Sequence, residues 1–138
     1  MKALSFQQPW AWALFHGKDI DNRLRRTAIR GEIYIHTSKT FDMKGWQWLS
    51  DNANRLVYQL PHFIDFRAPD KTVDMEMGAI IGTINIDDCV ENHGSRWYFG
   101  QPYIALIVSN PILFDKAIPY KGQLGFFEVS EQIRELAK

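Results

Sequence analysis

Residues Leu4 to Arg23 read LSFQQPWAWALFHGKDIDNR. Ala3 to Phe6 has the composition of a short strand. Pro9 suits the first turn of a helix, where its missing N–H leaves no bond unmade. Trp10 to His16 continue that helix, and Gly17 is a natural stop. Asp19 to Arg23 reads as a short extended piece. Asp21 and Arg23, two residues apart, then share one face, and Lys18 stands one turn-like step before them. An ammonium, a carboxylate and a guanidinium are thereby gathered just beyond a helix end. Such a group can neutralise a phosphate or polarise a carbonyl. It also has the composition of a surface ion-pair cluster, worth at most about 1 kcal/mol.

Downstream, Arg30-Gly31 marks a turn and Gly31 to Ser38 (GEIYIHTS) a strand, with Ile33, Ile35 and Thr37 on one face. Asp42 is a plausible N-cap for a helix running to about Tyr58, with Trp46, Leu49, Ala53 and Leu56 as its apolar stripe. Residues 59–77 contain Pro61 and Pro69 and read as a connecting loop, long enough to hide a short helix or a functional lid. Gly78 to Val90 is a long strand with a bulge or kink at Gly82. Asn92 to Pro102 is a loop and Tyr103 to Val108 a buried strand that Asn110-Pro111 ends. Leu124 to Val129 is the last strand, and Ser130 can cap a terminal helix to Lys138.

Strands joined without regular crossover helices favour an antiparallel or mixed sheet. The expected fold class is α+β, a small mixed or antiparallel β-barrel of five or six strands flanked by helices. Gly kinks help such a sheet to curl, though pattern alone leaves the closed barrel as only one option.

The chain has 138 residues, 46% of them apolar and 14% aromatic, which fits one domain, residues 1–138, with one core. Cys89 is the single cysteine, so neither an internal disulfide nor a cysteine-based zinc cluster can form; it reads as a buried small apolar residue. The apolar run near the start is interrupted by Gln7, Gln8 and Pro9 and has no small-residue cleavage site, so no signal peptide is expected. No segment approaches the roughly 20 apolar residues of a membrane span, and the expected compartment is the cytoplasm. Net charge is zero, which argues against a strong polyelectrolyte binder. Its distribution is uneven: Lys18 to Arg30 holds five bases and two acids. One basic edge suits a short anionic ligand better than a long duplex groove, unless it is merely a solvated loop.

Leu4 to Lys39 closely resembles the ASCH domain. The hallmark there is Gly-x-Lys-x-x-Glu-x-Arg, and the aligned run is His16-Gly17-Lys18-Asp19-Ile20-Asp21-Asn22-Arg23. His16 takes the place of the first Gly, and Asp21 that of the commoner Glu. Arg25 stands where a bulky aromatic is frequent. The resemblance continues in GAIIGTINIDDCV and in the segments around Tyr103 to Phe114 and Pro119 to Val129, so it spans most of the chain except about residues 41–77. It implies a PUA-like β-barrel with a cleft beside the first helix, and an association with RNA. One branch is similar to amidohydrolases that deacetylate 4-acetylcytidine, and another looks like ribonucleases of single-stranded RNA. In the amidohydrolase branch the Lys matches Lys18, but the Thr falls on Asp21. Its acid lies beyond a later strand, where Asp87, Asp88 or Glu91 stands.

The expected site follows. Lys18 acts as base or nucleophile, Asp21 as its partner and Arg23 as charge stabiliser. Arg25, Arg26 and Arg30 are candidate phosphate contacts. Trp10 and Trp97 are candidate stacking platforms or core residues. Ser5 and Gln8 are candidate donors into the cleft. His36, Ser38 and Lys39 end a strand near it, His36 as a general acid or a structural histidine. His16, His62 and His93 lack ligand spacing, so no metal is expected. Neither a Gly-rich phosphate loop nor a Ser-His-Asp signature occurs, and no cofactor is expected. The expected ligand is RNA or a nucleoside; a non-catalytic reader of RNA is the rival, and a regulatory metabolite-binding domain a third.

Overall fold

The computed structural model describes residues 1–56 and 75–137 of the protein. β1 (Lys2–Gln8) leads into α1 (Trp10–Leu14), then β2 (Ile20–Arg23) and β3 (Gly31–Phe41). α2 (Met43–Asp51) and α3 (Ala53–Leu56) precede β4 (Ala79–Val90), β5 (Ile104–Pro119), β6 (Phe126–Glu128) and a 3-10 helix, Glu131–Ala137. The six strands make one mixed sheet in the order β2-β5-β4-β3-β1-β6. β1 and β3 are parallel, as a crossover through α1 and β2 allows. The other neighbours are antiparallel. The expected α+β class with a mixed sheet is present. The hydrogen-bonded sheet is not closed: β2 and β6 are its two edges.

Packing explains why the start of the chain is held so firmly. Ala11 and Leu14 of α1 join Leu4, Phe6, Ile33 and Ile35 in one apolar cluster. Trp12 and Ala13, on the opposite side of the same short helix, join Trp46, Leu49, Leu56 and Trp97 in a second. Burying a side chain such as Leu14 contributes about 1.5–3 kcal/mol, so a helix of only five residues is fixed by tertiary contacts rather than by its own propensity. A third cluster, around Ala3, Tyr34, Phe127 and Ala137, seats the terminal 3-10 helix on the sheet.

Several boundaries differ from expectation. α1 stops at Leu14, short of His16. β5 continues through Asn110-Pro111 to Pro119. Asn110 takes a left-handed φ of 51°, and pairing resumes at Ile112 opposite Thr83 after a register shift. A proline ends a regular ladder, but at a bulge its missing N–H is harmless. Asp42 caps α2 as expected, its Oδ1 accepting the Gly45 N–H at 2.9 Å, but α2 yields to α3 after Asp51. The continuation toward Tyr58, His62 and all but the last three residues of 59–77, the lid reading with them, lie outside the described residues. The C-terminal helix is a 3-10 helix rather than an α-helix. Among the described residues no helix is long and apolar enough to cross a membrane.

β6 is clasped to β1 from outside: Glu128 accepts from Lys2 at 3.0 Å and from the N-terminal ammonium at 3.3 Å. The Lys2 hydrogen bond, and then the terminal ammonium, hold its carboxyl below the ordinary range. With a depressed folded pKa, the clasp stabilises above the ordinary carboxylate range, and its contribution is lost as pH falls through the lowered value.

Gly82 lies at the expected bulge, beside a register shift in both of its ladders. A Cβ there would collide with the Ile112 carbonyl oxygen and approach the Phe15 ring to 2.8 Å. Gly82→Ala is therefore expected to cost about 1–3 kcal/mol in urea unfolding. A variant as stable as the parent would show that β5 is free to move away.

Candidate functional site

The site begins with how α1 stops. Gly17 has a φ of 114°, a conformation that side chains rarely adopt. The Lys18 N–H donates back to the Ala13 carbonyl at 3.0 Å, the six-to-one bond of a Schellman turn. This reversal carries the Lys18 side chain inward, where it is 3% exposed. His16, standing where the hallmark has Gly, lies on the Trp12 ring with centroids 4.2 Å apart.

β2 then presents Asp21 and Arg23 on one side. Lys18 Nζ donates to Asp21 Oδ1 at 3.0 Å. Arg23 Nε is 2.8 Å from Asp21 Oδ2, an ion-pair distance, although its N–H is not aimed at that oxygen. One carboxylate thus stands between two cations, and the group carries a net charge of one. The Lys18 ammonium also lies 4.8 Å from the centre of the Trp10 ring, and the Arg23 guanidinium 5.1 Å from that of Phe6. The terminal nitrogens of Arg23 have no partner among the described residues.

This group forms one wall of a cavity of about 220 Å³. Ser5, Phe6 and Gln7 of β1 face it across the gap, and Trp10 and Phe99 supply an aromatic wall. Trp10 is oriented by its Nε1–H, which donates to Asp42 Oδ2 at 2.8 Å. Gly45 makes room for it: a Cβ there would stand 2.6 Å from Trp10 Nε1. Phe99 is placed by Asn22, whose Oδ1 accepts the Phe99 N–H at 2.9 Å while its Nδ2 donates to the Trp97 carbonyl at 3.0 Å. Sequence reasoning missed Gln7, Asn22 and Phe99. Asn22 and Phe99 take their places through each other, distant in the chain, and Gln7 borders the cavity from β1; local pattern carries no signal for these roles.

Of the expected residues, Lys18, Asp21, Arg23 and Trp10 converge here; Ser5 lines the cavity, but its hydroxyl is engaged with His36 Nδ1 rather than donating into the cleft. Trp97 does not: it is fully buried in the core, so no ring face is open for stacking. Gln8 is fully buried too. Its Oε1 accepts the Trp12 N–H at 2.8 Å and its Nε2 donates to the Glu76 carbonyl at 3.0 Å, so it starts α1 rather than serving the cleft. His36 is buried between Ser5 Oγ at 2.8 Å and the Tyr120 carbonyl at 2.7 Å. A carbonyl only accepts, so Nε2 carries a proton and the imidazole is held structurally. Ser38 donates to the Thr40 carbonyl, and Lys39 covers Gly78; neither lines this cavity.

The arginines divide as well. Arg26 donates to the Cys89 carbonyl and lies 3.8 Å from Glu91. Arg30 donates to the Thr27 and Ile29 carbonyls and pairs with Asp88 at 3.3 Å. Both spend donors on the protein's own loop. Arg25 is exposed and borders a second, larger cavity of about 580 Å³, which also touches Asn22 and Arg23. Asp87 accepts from Asn85 and Ser109, and with Asp88 and Glu91 it lies away from the first cavity. Among the described residues Asp21 is the only carboxylate lining that cavity. Cys89 is buried as expected. Among the described residues no three His, Cys, Asp or Glu side chains group as metal ligands.

No family model matches the chain, and no curated protein matches it significantly.

The carboxylate is the member on which the other two depend. Removing one partner of a buried pair costs about 3–5 kcal/mol, because it strands a charge. Asp21→Asn leaves Lys18 with no carboxylate and is expected to destabilise by about that amount in a denaturant titration. Lys18→Met leaves Asp21 still paired with Arg23 and is expected to cost clearly less. Equal losses would mean that the three charges are not coupled.

Proposed function

We propose that the chain is an ASCH-type domain with a PUA-like barrel, and that the cavity beside Lys18 binds RNA or a modified nucleoside. The observation that carries this reading is the group of buried Lys18 and Asp21 with half-buried Arg23, at a cavity with an aromatic wall. Two cations around one carboxylate leave a net positive charge, with ammonium and guanidinium donors unspent. An electron-rich carbonyl or phosphate oxygen is the natural guest for them. Trp10 and Phe99 offer faces for a splayed base, worth about 1–3 kcal/mol for a stacked contact. The spacing of Lys18, Asp21 and Arg23 is that of the ASCH hallmark, and a sheet whose edges β2 and β6 border one cavity is compatible with a barrel open along one seam.

In the hydrolytic form of this function, Lys18 first gives up its ammonium proton and then, as the free amine, acts as base on an attacking water or as nucleophile. The amide or phosphodiester bond breaks, and the proton passes to the leaving amine or alcohol. Asp21 positions Lys18, and Arg23 stabilises the developing oxyanion or phosphorane. A specific observation favours the non-catalytic reader as second reading: Asp21 is already engaged by both cations, and among the described residues no further carboxylate lines the cavity.

Pure protein incubated with 4-acetylcytidine and with single-stranded RNA separates the two. Binding is expected for at least one ligand, weakened about tenfold or more in Lys18→Ala, since hydrogen bonds to charged groups contribute about 1.5–3 kcal/mol. Turnover that disappears in Lys18→Ala establishes the hydrolase. Binding without turnover of either ligand establishes the reader. Absence of both contradicts the assignment to RNA.

A further inference from the structure

β6 pairs with β1 only over Lys2, Ala3 and Leu4. Beyond that point, among the described residues, Ser5 to Gln7 have no strand beside them on that side. β2, at the other edge of the sheet, pairs only with β5. An open seam therefore runs between β2 and the β1–β6 pair, and both cavities lie along it. The smaller has Ser5 to Gln7 on one bank; the larger has Leu4 and Phe126. Asn22 and Arg23 border both.

The larger cavity differs in character from the smaller. Leu4, Leu106 and Phe126 give it an apolar floor, and its rim carries Arg23, Arg25 and Arg26, with no carboxylate lining it among the described residues. Arg26 is already committed to the Cys89 carbonyl. Arg23, which borders both cavities, keeps its two terminal nitrogens without a partner among the described residues, and so does Arg25 on the rim of the larger one. Two cavities, one with an aromatic wall beside the charged group and one with an apolar floor, joined at a cation, match a repeating ligand in which flat apolar groups alternate with anions. Guanidinium forks suit phosphate oxygens, and apolar or aromatic floors suit base faces.

Resting on the binding assignment made above, we propose that the seam is a two-subsite track and that the ligand is a single strand of at least two nucleotides. One base occupies the cavity of Trp10 and Phe99. The linking phosphate meets Arg23, and the adjoining nucleotide enters the larger cavity with its far phosphate on Arg25. The substrate class is then an RNA strand rather than a free nucleoside.

The test compares a ribonucleoside monophosphate with the di- and trinucleotide of the same base, by calorimetry at two salt concentrations. A gain of about tenfold or more from one to two nucleotides is expected. In Arg25→Ala the ratio between dinucleotide and mononucleotide should fall toward one, and the logarithmic salt slope for the dinucleotide by about 0.7. Arg25 is exposed, so this variant is expected to fold. Mononucleotide binding without any gain on lengthening overturns the track while leaving the first cavity's assignment intact. No binding of any length overturns that assignment as well. A gain reproduced by an abasic strand, or by an acidic peptide that also depends on Arg25, overturns the nucleotide identity of the second subsite.

Discussion

The carboxylate of Asp21 holds together everything at this site. Its two oxygens face the Lys18 ammonium and Arg23 Nε at 3.0 and 2.8 Å, with Lys18 and Asp21 both buried. Two cations brought this close in a region of low dielectric would repel strongly without an anion between them. With it, the group is tolerable and remains positive by one charge. That residual charge, facing a cavity, is a fixed attraction for an electron-rich guest. The site is thus pre-organised by the interaction that makes it stable enough to exist.

The sheet supplies the geometry. A short, wholly apolar helix is wedged between two core clusters, and a glycine with positive φ turns the chain so that Lys18 points inward. β2 pairs with β5 alone and offers its other edge to the seam. Strand edges are normally covered or charged, because unpaired backbone invites another chain. Here the edge is bordered by arginines and hollowed into cavities, so the same opening that leaves the sheet unclosed forms the candidate site.

The sequence carried much of this and not all of it. The stop at Gly17 and the shared face of Asp21 and Arg23 follow from backbone periodicity, which is local. The bulge at Gly82 and the cap at Asp42 were legible for the same reason. The failures are long-range. Gln8 and Trp97 look available in a linear reading, yet each is consumed by partners elsewhere, Gln8 by the first turn of α1 and the Glu76 carbonyl. His36 looks like an acid at a strand end, yet its proton is fixed by the Tyr120 carbonyl. Phe99 takes the place foreseen for Trp97 because Asn22, distant in the chain, grips its N–H. Asn110-Pro111 breaks a regular strand in any local rule, but a bulge absorbs it.

The most direct measurement is a crystal structure with cytidine 5′-monophosphate bound. The account predicts a phosphate or carbonyl oxygen within hydrogen-bond distance of both Lys18 Nζ and the Arg23 fork, and the base against Trp10 and Phe99. A nucleotide bound elsewhere, or Lys18 and Arg23 turned apart into solvent with no cavity between them, would contradict it.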